Sequence, residues 1–271
     1  MAGRIRAGMG GWTFEPWRGV FYPEGCRQAD ELAYASRQVS AIEVNATYHS
    51  LQKPESWAKW AAAVPDDFVF TLKGSRFVTN RRVLAEAGAP IERFFGQGFT
   101  VLGAKLGPIL WQLMPTKRFE PEDFAAFLDL LPRSHQGLPI RHAVEPRHES
   151  FAVPAFIELC RDRGVAICCA EHASYPLIPD VTADFVYLRL MRGSDDVPTC
   201  YPPEALAGWA ERLKAYAEGG APADLPPVAP DRPLARQARD VFAFLINEGK
   251  VNAPAGAVAL LDRLGLRPAS E

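Results

Sequence analysis

Eight short apolar or alternating runs, each set apart from the next by a helical or irregular stretch, constrain this chain more than any other feature of its sequence. They span Arg4 to Gly10, Ser40 to Thr47, Phe68 to Gly74, Leu102 to Leu113, Ile140 to Glu145, Val165 to Ala170, Phe185 to Met191 and Val241 to Asn247. Strand-like runs alternating with helices signal repeated βα units and a parallel sheet, not a sandwich. Eight units close a barrel. Asp30 to Arg37, Glu55 to Ala63, Glu122 to Leu131, Pro154 to Arg163, Glu204 to Glu218 and Ala255 to Leu264 carry apolar residues at helical spacing. Val78 to Phe95 is less regular and predicts a short helix plus a loop.

A chain of 271 residues suits one such domain, for which about 250 is ordinary. The expectation is therefore a single (β/α)8 TIM-type barrel with parallel strands over residues 1–271. Gly219 to Pro233 is proline-rich and aperiodic, and reads as a surface loop; the strands on both sides of it are needed for closure. With 48% apolar and 23% charged residues, the chain has the composition to bury a core. A net charge of -2 gives no overall basic surface, which leaves nucleic acid as the lesser alternative for a partner. Five cysteines, an odd number with no CxxC pair, weigh against a disulfide framework or a zinc knuckle. No run reaches membrane-spanning length and the start is not signal-like, so the expectation is a cytoplasmic protein with no membrane partner.

Strand parity sorts the side chains. In a closed barrel alternate residues face the axis and the others lie under the helices. Ile42 and Val44 outward turn Glu43, Asn45 and Thr47 inward. Phe70 and Leu72 outward turn Thr71 and Lys73 inward, and Val186, Leu188 and Leu190 do the same for Tyr187 and Arg189. Glu145 and Arg147 share a face, while Gln112, Glu171 and Asn247 stand near the ends of their runs. All lie toward C-terminal strand ends, where barrel proteins build their sites. Charges gathered there must pair with one another, with water or with a ligand, because burying them alone costs several kcal/mol. A mutually satisfied salt-bridge plug is the alternative to a ligand site.

The ordered pieces Gly10-Gly11-Trp12, Trp17 to Pro23, Ile42 to Tyr48, Lys73 with Arg76 and Thr79, Leu102-Gly103, Gln112-Leu113, Ala143 to Ser150 and Tyr187-Leu188-Arg189 resemble the YecE-like family, also called domain of unknown function 72. The resemblance covers nearly the whole chain and implies a (β/α)8 barrel. It implies no reaction, since the family is defined by the lack of one. Three places depart from the family pattern: Ile246-Asn247-Glu248-Gly249 replaces an aromatic-Asn-Asn-Asp run, Met191-Arg192-Gly193 replaces a His-Gly, and Glu171 replaces an aspartate.

Lys73, Arg147 and Arg189 come from three strands, and their convergence makes a pocket for phosphate or carboxylate. Trp12, Asn45, Tyr48, Arg76, Gln112 and Asn247 complete the expected ligand-binding set. Glu145 is the candidate general base, since a carboxylate beside cations stays ionised. His148 is either a second proton-transfer group or a histidine bonded behind the site, and Glu43 with Glu171 is a candidate carboxylate pair. Glu43, Glu145, Glu171, His148 and His172 also offer donors to a divalent metal, although no ligand spacing supports one and none is assigned. No P-loop or dinucleotide fingerprint is present. The aromatics from Trp12 to Tyr22, grouped around Arg18, either stack a sugar or base or form a lid over the first strand. The reading is an enzyme using acid/base catalysis on a small anionic molecule, against a nucleic-acid-processing protein or a non-catalytic ligand-binding barrel.

Overall fold

The structure, a computed structural model, describes residues 2–231 and 235–268. All eight runs become strands: β1 Ile5–Gly10, β2 Ala41–Val44, β3 Val69–Lys73, β4 Leu106–Gln112, β5 His142–Glu145, β6 Ala166–Glu171, β7 Phe185–Arg192 and β8 Asp240–Glu248. Each pairs in parallel with its sequence neighbour, and β8 returns to β1 to close the barrel. At the closure Ile5 to Met9 lie opposite Val241 to Leu245 without a slip. The connections carry the chain back across the outside of the sheet, which is why adjacent strands run the same way.

The covering helices are α1 Glu31–Ala35, α2 Pro54–Ala63, α3 Gly88–Phe95, α4 Pro121–Asp129, α5 Pro154–Arg163, α6 Pro203–Ala217 and α7 Ala253–Leu264. Four of them, α2, α4, α5 and α6, start on a proline, whose locked φ and missing N–H suit a first turn. The irregular segment resolves into a helical turn at Arg76–Thr79, another at Leu84–Glu86, and α3. A two-residue antiparallel ribbon, Ser134–His135 against Leu138–Pro139, precedes β5 and carries no signal in the sequence. Residues 219–231 of the proline-rich stretch form a loop held by Asp180, whose carboxylate accepts from Val228 N at 2.7 Å and Ala229 N at 2.9 Å. Arg232 and Pro233 lie outside the described residues.

Two strand boundaries differ from the sequence reading. The stretch Phe99–Lys105 is a tight 3-10 segment, kinked where Gly103 takes φ 53°, so β4 begins only at Leu106. At β2 the strand ends at Val44; Asn45 already has helical dihedrals and opens the turn Ala46–His49. The expected inward trio Glu43, Asn45 and Thr47 therefore does not share one strand face. Thr47 sits on the turn, with its hydroxyl 2.9 Å from the Val44 carbonyl and 2.7 Å from that of Lys73.

The core divides as strand parity requires. Ile42, Val44, Phe70, Leu72, Val186, Leu188 and Leu190 join the helices in one buried cluster. Ala41, Val69, Leu110, Ala143, Ala166, Cys168, Ala170, Tyr187, Phe242 and Phe244 form a second cluster along the axis. Small residues from β2, β5 and β6 leave room for the large rings of β7 and β8, where Tyr187 lies 5.3 Å from Phe244. At the opposite end from the mouth, Arg141 bonds Asp240 at 3.0 Å and stacks on Phe185 and Phe242. That pair caps the axis at the N-terminal end; the polar side chains that point inward gather at the C-terminal end.

Candidate functional site

Five strands send polar side chains to the axis just below the mouth. Arg189 of β7 donates through Nη1 to Glu145 Oε2 at 2.5 Å and through Nη2 to Glu43 Oε1 at 3.1 Å. Both carboxylates are fully buried and Arg189 is 2% exposed. The Tyr187 hydroxyl donates to the other oxygen of Glu43 at 2.8 Å and accepts from Thr71 at 3.0 Å. Arg147 Nε donates to the remaining oxygen of Glu145 at 2.5 Å, and its Nη2 reaches Gln112 Oε1 at 2.6 Å. Two acids thus meet two guanidiniums, and every carboxylate oxygen in the group is taken. Burial alone would raise the Glu145 pKa, yet Arg189 and then Arg147 outweigh it and hold the carboxyl below its ordinary value.

Lys73 is the charge left over. Among the described residues it forms no ion pair; its ammonium lies 4.3 Å over the Tyr48 ring. Burial and the nearby Arg189 guanidinium pull its pKa down to about 8. It faces a cavity of about 430 Å³ whose wall includes Trp12, Asn45, His49, Trp60, Arg189 and Lys250, and no acidic residue. Trp12 stands edge-on to Trp60 at 4.9 Å. Lys250 lies 4.0 Å over the Phe14 ring, and its carbonyl accepts from Trp17 Nε1 at 2.8 Å. Gly10 makes the floor possible, because a Cβ there would stand 2.6 Å from Asn45 Nδ2.

The structure thus brings Glu43, Gln112, Glu145, Arg147 and Arg189 into one network, with Trp12, Asn45, Tyr48 and Lys73 around the opening above it. It does not bring Glu171 there. In β6, Cys168 and Ala170 face the axis, so Glu171 points outward, where its Oε2 accepts from the Tyr201 hydroxyl at 2.6 Å. Burial pushes its carboxyl above the ordinary range, opposed by Tyr201 and Trp209. Glu43 and Glu171 therefore form no carboxylate pair. His148 caps the turn Glu149–Phe151, its Nδ1 accepting from Ser150 N at 3.1 Å, which turns that nitrogen away from Glu145. Arg76 lies in a separate surface hollow. The side chain of Asn247 lies outside what the structure describes; its neighbour Ile246 lines the cavity.

The donors that the sequence offered to a divalent metal do not converge. Among the described residues no group of three or more His, Cys, Asp or Glu is placed to hold one. Glu43 and Glu145 turn to Arg189, and His172 stacks on Tyr175 at 3.7 Å, which in turn covers Arg147 at 4.6 Å. The aromatic segment is a packed lid: Trp17 and Tyr22 are buried, and Arg18 leaves the rings to pair with Glu31 at 2.8 Å. His49, Trp60 and Lys250 escaped the sequence reading. His49 and Lys250 lie in segments just after strand ends, a positional signal for barrel sites; Trp60 sits within α2 and carries no such signal.

A family model described as a protein of unknown function, DUF72, matches residues 6–271. The chain belongs to this family. Among curated proteins, the UPF0759 protein YecE of Escherichia coli K12 is 27% identical over 164 residues, 59% of this chain and 55% of that protein. The match thus spans about half the length of that relative. Two solved DUF72 structures share the fold. One, from Thermotoga maritima, has a TM-score of 0.74 at 22% identity, covering 97% of this chain and 99% of its own. Another, from Enterococcus faecalis, has a TM-score of 0.70 at 17% identity, with 96% and 95% covered. In this DUF72 barrel the glutamate at position 171 sits at the outer face of the sheet, where its length lets it reach Tyr201. Among the described residues no helix is long and apolar enough to cross a membrane.

Proposed function

We propose that the mouth binds a small anionic molecule and that Lys73 exchanges a proton with it, making this barrel an acid/base enzyme for a phosphate- or carboxylate-bearing substrate. One observation carries the reading. The two arginines are paired with the two buried glutamates, Lys73 makes no ion pair among the described residues, and it opens on a cavity whose described wall holds Arg189, Lys250 and His49 but no acid. An anion entering there gains Lys73 without competing with an internal carboxylate.

A pKa of about 8 puts Lys73 near the working range of a general acid or base. Glu43 and Glu145, whose oxygens are all engaged, act in this reading as positioning residues that hold Arg189 beneath the ligand. Trp12 and Trp60 supply a flat wall for the apolar part of the substrate. The test is calorimetric titration with inorganic phosphate and simple carboxylates, followed by turnover of phosphorylated and carboxylated small molecules across the pH range around 8. Wild type binds, K73M loses at least about tenfold in affinity, and turnover follows an ionisation near that of Lys73. Equal anion affinity in wild type and K73M ends the reading; binding without turnover in wild type reduces it to a ligand-binding barrel.

A further inference from the structure

The segment after β3 builds a second hollow, of about 580 Å³, lined by Arg76, Phe77, Asn80, Arg81, Pro90 and Arg93. Its charge is all of one sign. Several other surface arginines are paired: Arg27 with Asp30, Arg161 with Glu158, Arg163 with Asp129 and Arg212 with Asp224. Among the described residues Arg76, Arg81 and Arg93 make no ion pair. Three guanidiniums gathered without a counterion repel one another, and the cost is relieved by an anion held among them.

Arg81 is held in place, and Arg76 lies against a ring. Arg81 Nη1 donates to the Glu86 carbonyl, and the Arg76 guanidinium lies 5.3 Å from the centre of the Phe77 ring. Phe77 itself is 62% exposed, an apolar face left beside the three cations. Planar guanidiniums suit the oxygens of a phosphoryl group, which accept two parallel N–H bonds from each. The hollow adjoins the mouth through Tyr48. That ring lies under Lys73 at 4.3 Å, while its hydroxyl donates to Asn80 Oδ1 at 3.2 Å.

We propose that the arginine hollow is a second anion site serving the same ligand, so that the preferred molecule is linear and carries two phosphoryl groups, one at Lys73 and one among Arg76, Arg81 and Arg93. The proposal rests on the reading of the mouth as an anion site. Joining two sites through one ligand multiplies affinity by the effective concentration of the second group, provided the ligand spans both.

The experiment is calorimetric titration at fixed ionic strength with orthophosphate, pyrophosphate, tripolyphosphate and longer linear oligophosphates, against wild type, K73M and R76Q/R93Q. The double variant changes two exposed arginines, and its unfolding midpoint checks that the fold is intact. Wild type gains on the order of tenfold or more once the chain spans both sites. R76Q/R93Q loses that gain while keeping the orthophosphate binding that depends on Lys73. A double variant that matches wild type at every chain length overturns the proposal, even where K73M loses orthophosphate and the mouth reading stands. Loss of orthophosphate binding in R76Q/R93Q with K73M unchanged overturns the two-point ligand and the mouth reading together, and marks the hollow as a site for free phosphate.

Discussion

Arg189→Met removes the cation on which both buried carboxylates depend. One guanidinium serves Glu145 Oε2 at 2.5 Å and Glu43 Oε1 at 3.1 Å. After the substitution Glu145 keeps Arg147, whereas Glu43 keeps only the Tyr187 hydroxyl. Removing one side of a buried pair costs about 3–5 kcal/mol, because the surviving charge stays desolvated and uncompensated. Glu145 retains a partner, so the loss comes mainly from Glu43 and stays near about 3–5 kcal/mol without doubling. In a chain of this length each kcal/mol moves the thermal midpoint by about 2–4 °C, which gives a fall of about 6–20 °C.

Urea unfolding followed by far-UV circular dichroism at about pH 8 and about pH 5 measures the effect. Glu145 ionises below its unfolded value, so its stabilisation is present above the ordinary carboxylate range and disappears as the pH falls through the folded value. The deficit of R189M is accordingly undiminished at about pH 5 and shrinks only when the unfolding is repeated below the ordinary carboxylate range, at about pH 3. K73M is the control: among the described residues Lys73 makes no ion pair, so its removal strands no bonded charge and the cost stays below about 1 kcal/mol. An R189M protein within about 1 kcal/mol of wild type at about pH 8, or a K73M protein equally damaged, refutes the division between a structural Arg189 and an uncompensated Lys73.

Lys73 also predicts a pH dependence of opposite sense. Its folded pKa of about 8 lies below the ordinary 10.5, so the unfolded chain binds the proton more tightly and wild-type stability rises between those two values. Wild-type denaturant midpoints should gain on those of K73M as the pH rises through that window, with a constant difference below it; parallel curves throughout would show that the ammonium is solvated. Gly10→Ala places a Cβ 2.6 Å from Asn45 Nδ2 and 2.8 Å from Ile246 Cδ1. It should weaken inorganic phosphate binding about tenfold or more as those side chains are pushed into the cavity; unchanged affinity counts against the cavity as the site. His148→Ala removes a turn cap and costs about 0.5–2 kcal/mol in urea unfolding. Its phosphate affinity stays that of wild type, and a drop there would return the histidine to the site.

The barrel was legible in the chain because closure depends on number and order. Eight runs with alternating helix-length segments fit a closed parallel barrel, and period-two parity then set the inward residues of β3 and β7. The same parity, read along β6, has Cys168 and Ala170 on the inner face and so puts Glu171 outside. Nearness to a strand end was the wrong guide there, since it says nothing of which face a residue takes. Asn45 reaches the mouth and Thr47 the Val44 and Lys73 carbonyls from the turn after Val44, not from the strand face that alternation assigned them.

What the sequence by itself determined was the barrel and the fact that Glu43, Lys73, Glu145 and Arg189 meet near one end of it. Which of those charges cancel was decided only in three dimensions. Pairing depends on distances of a few ångströms between side chains from separate strands, and the steep rise of charge–charge energy in a desolvated interior turns those distances into the difference between a structural arginine and a lysine left open to a ligand.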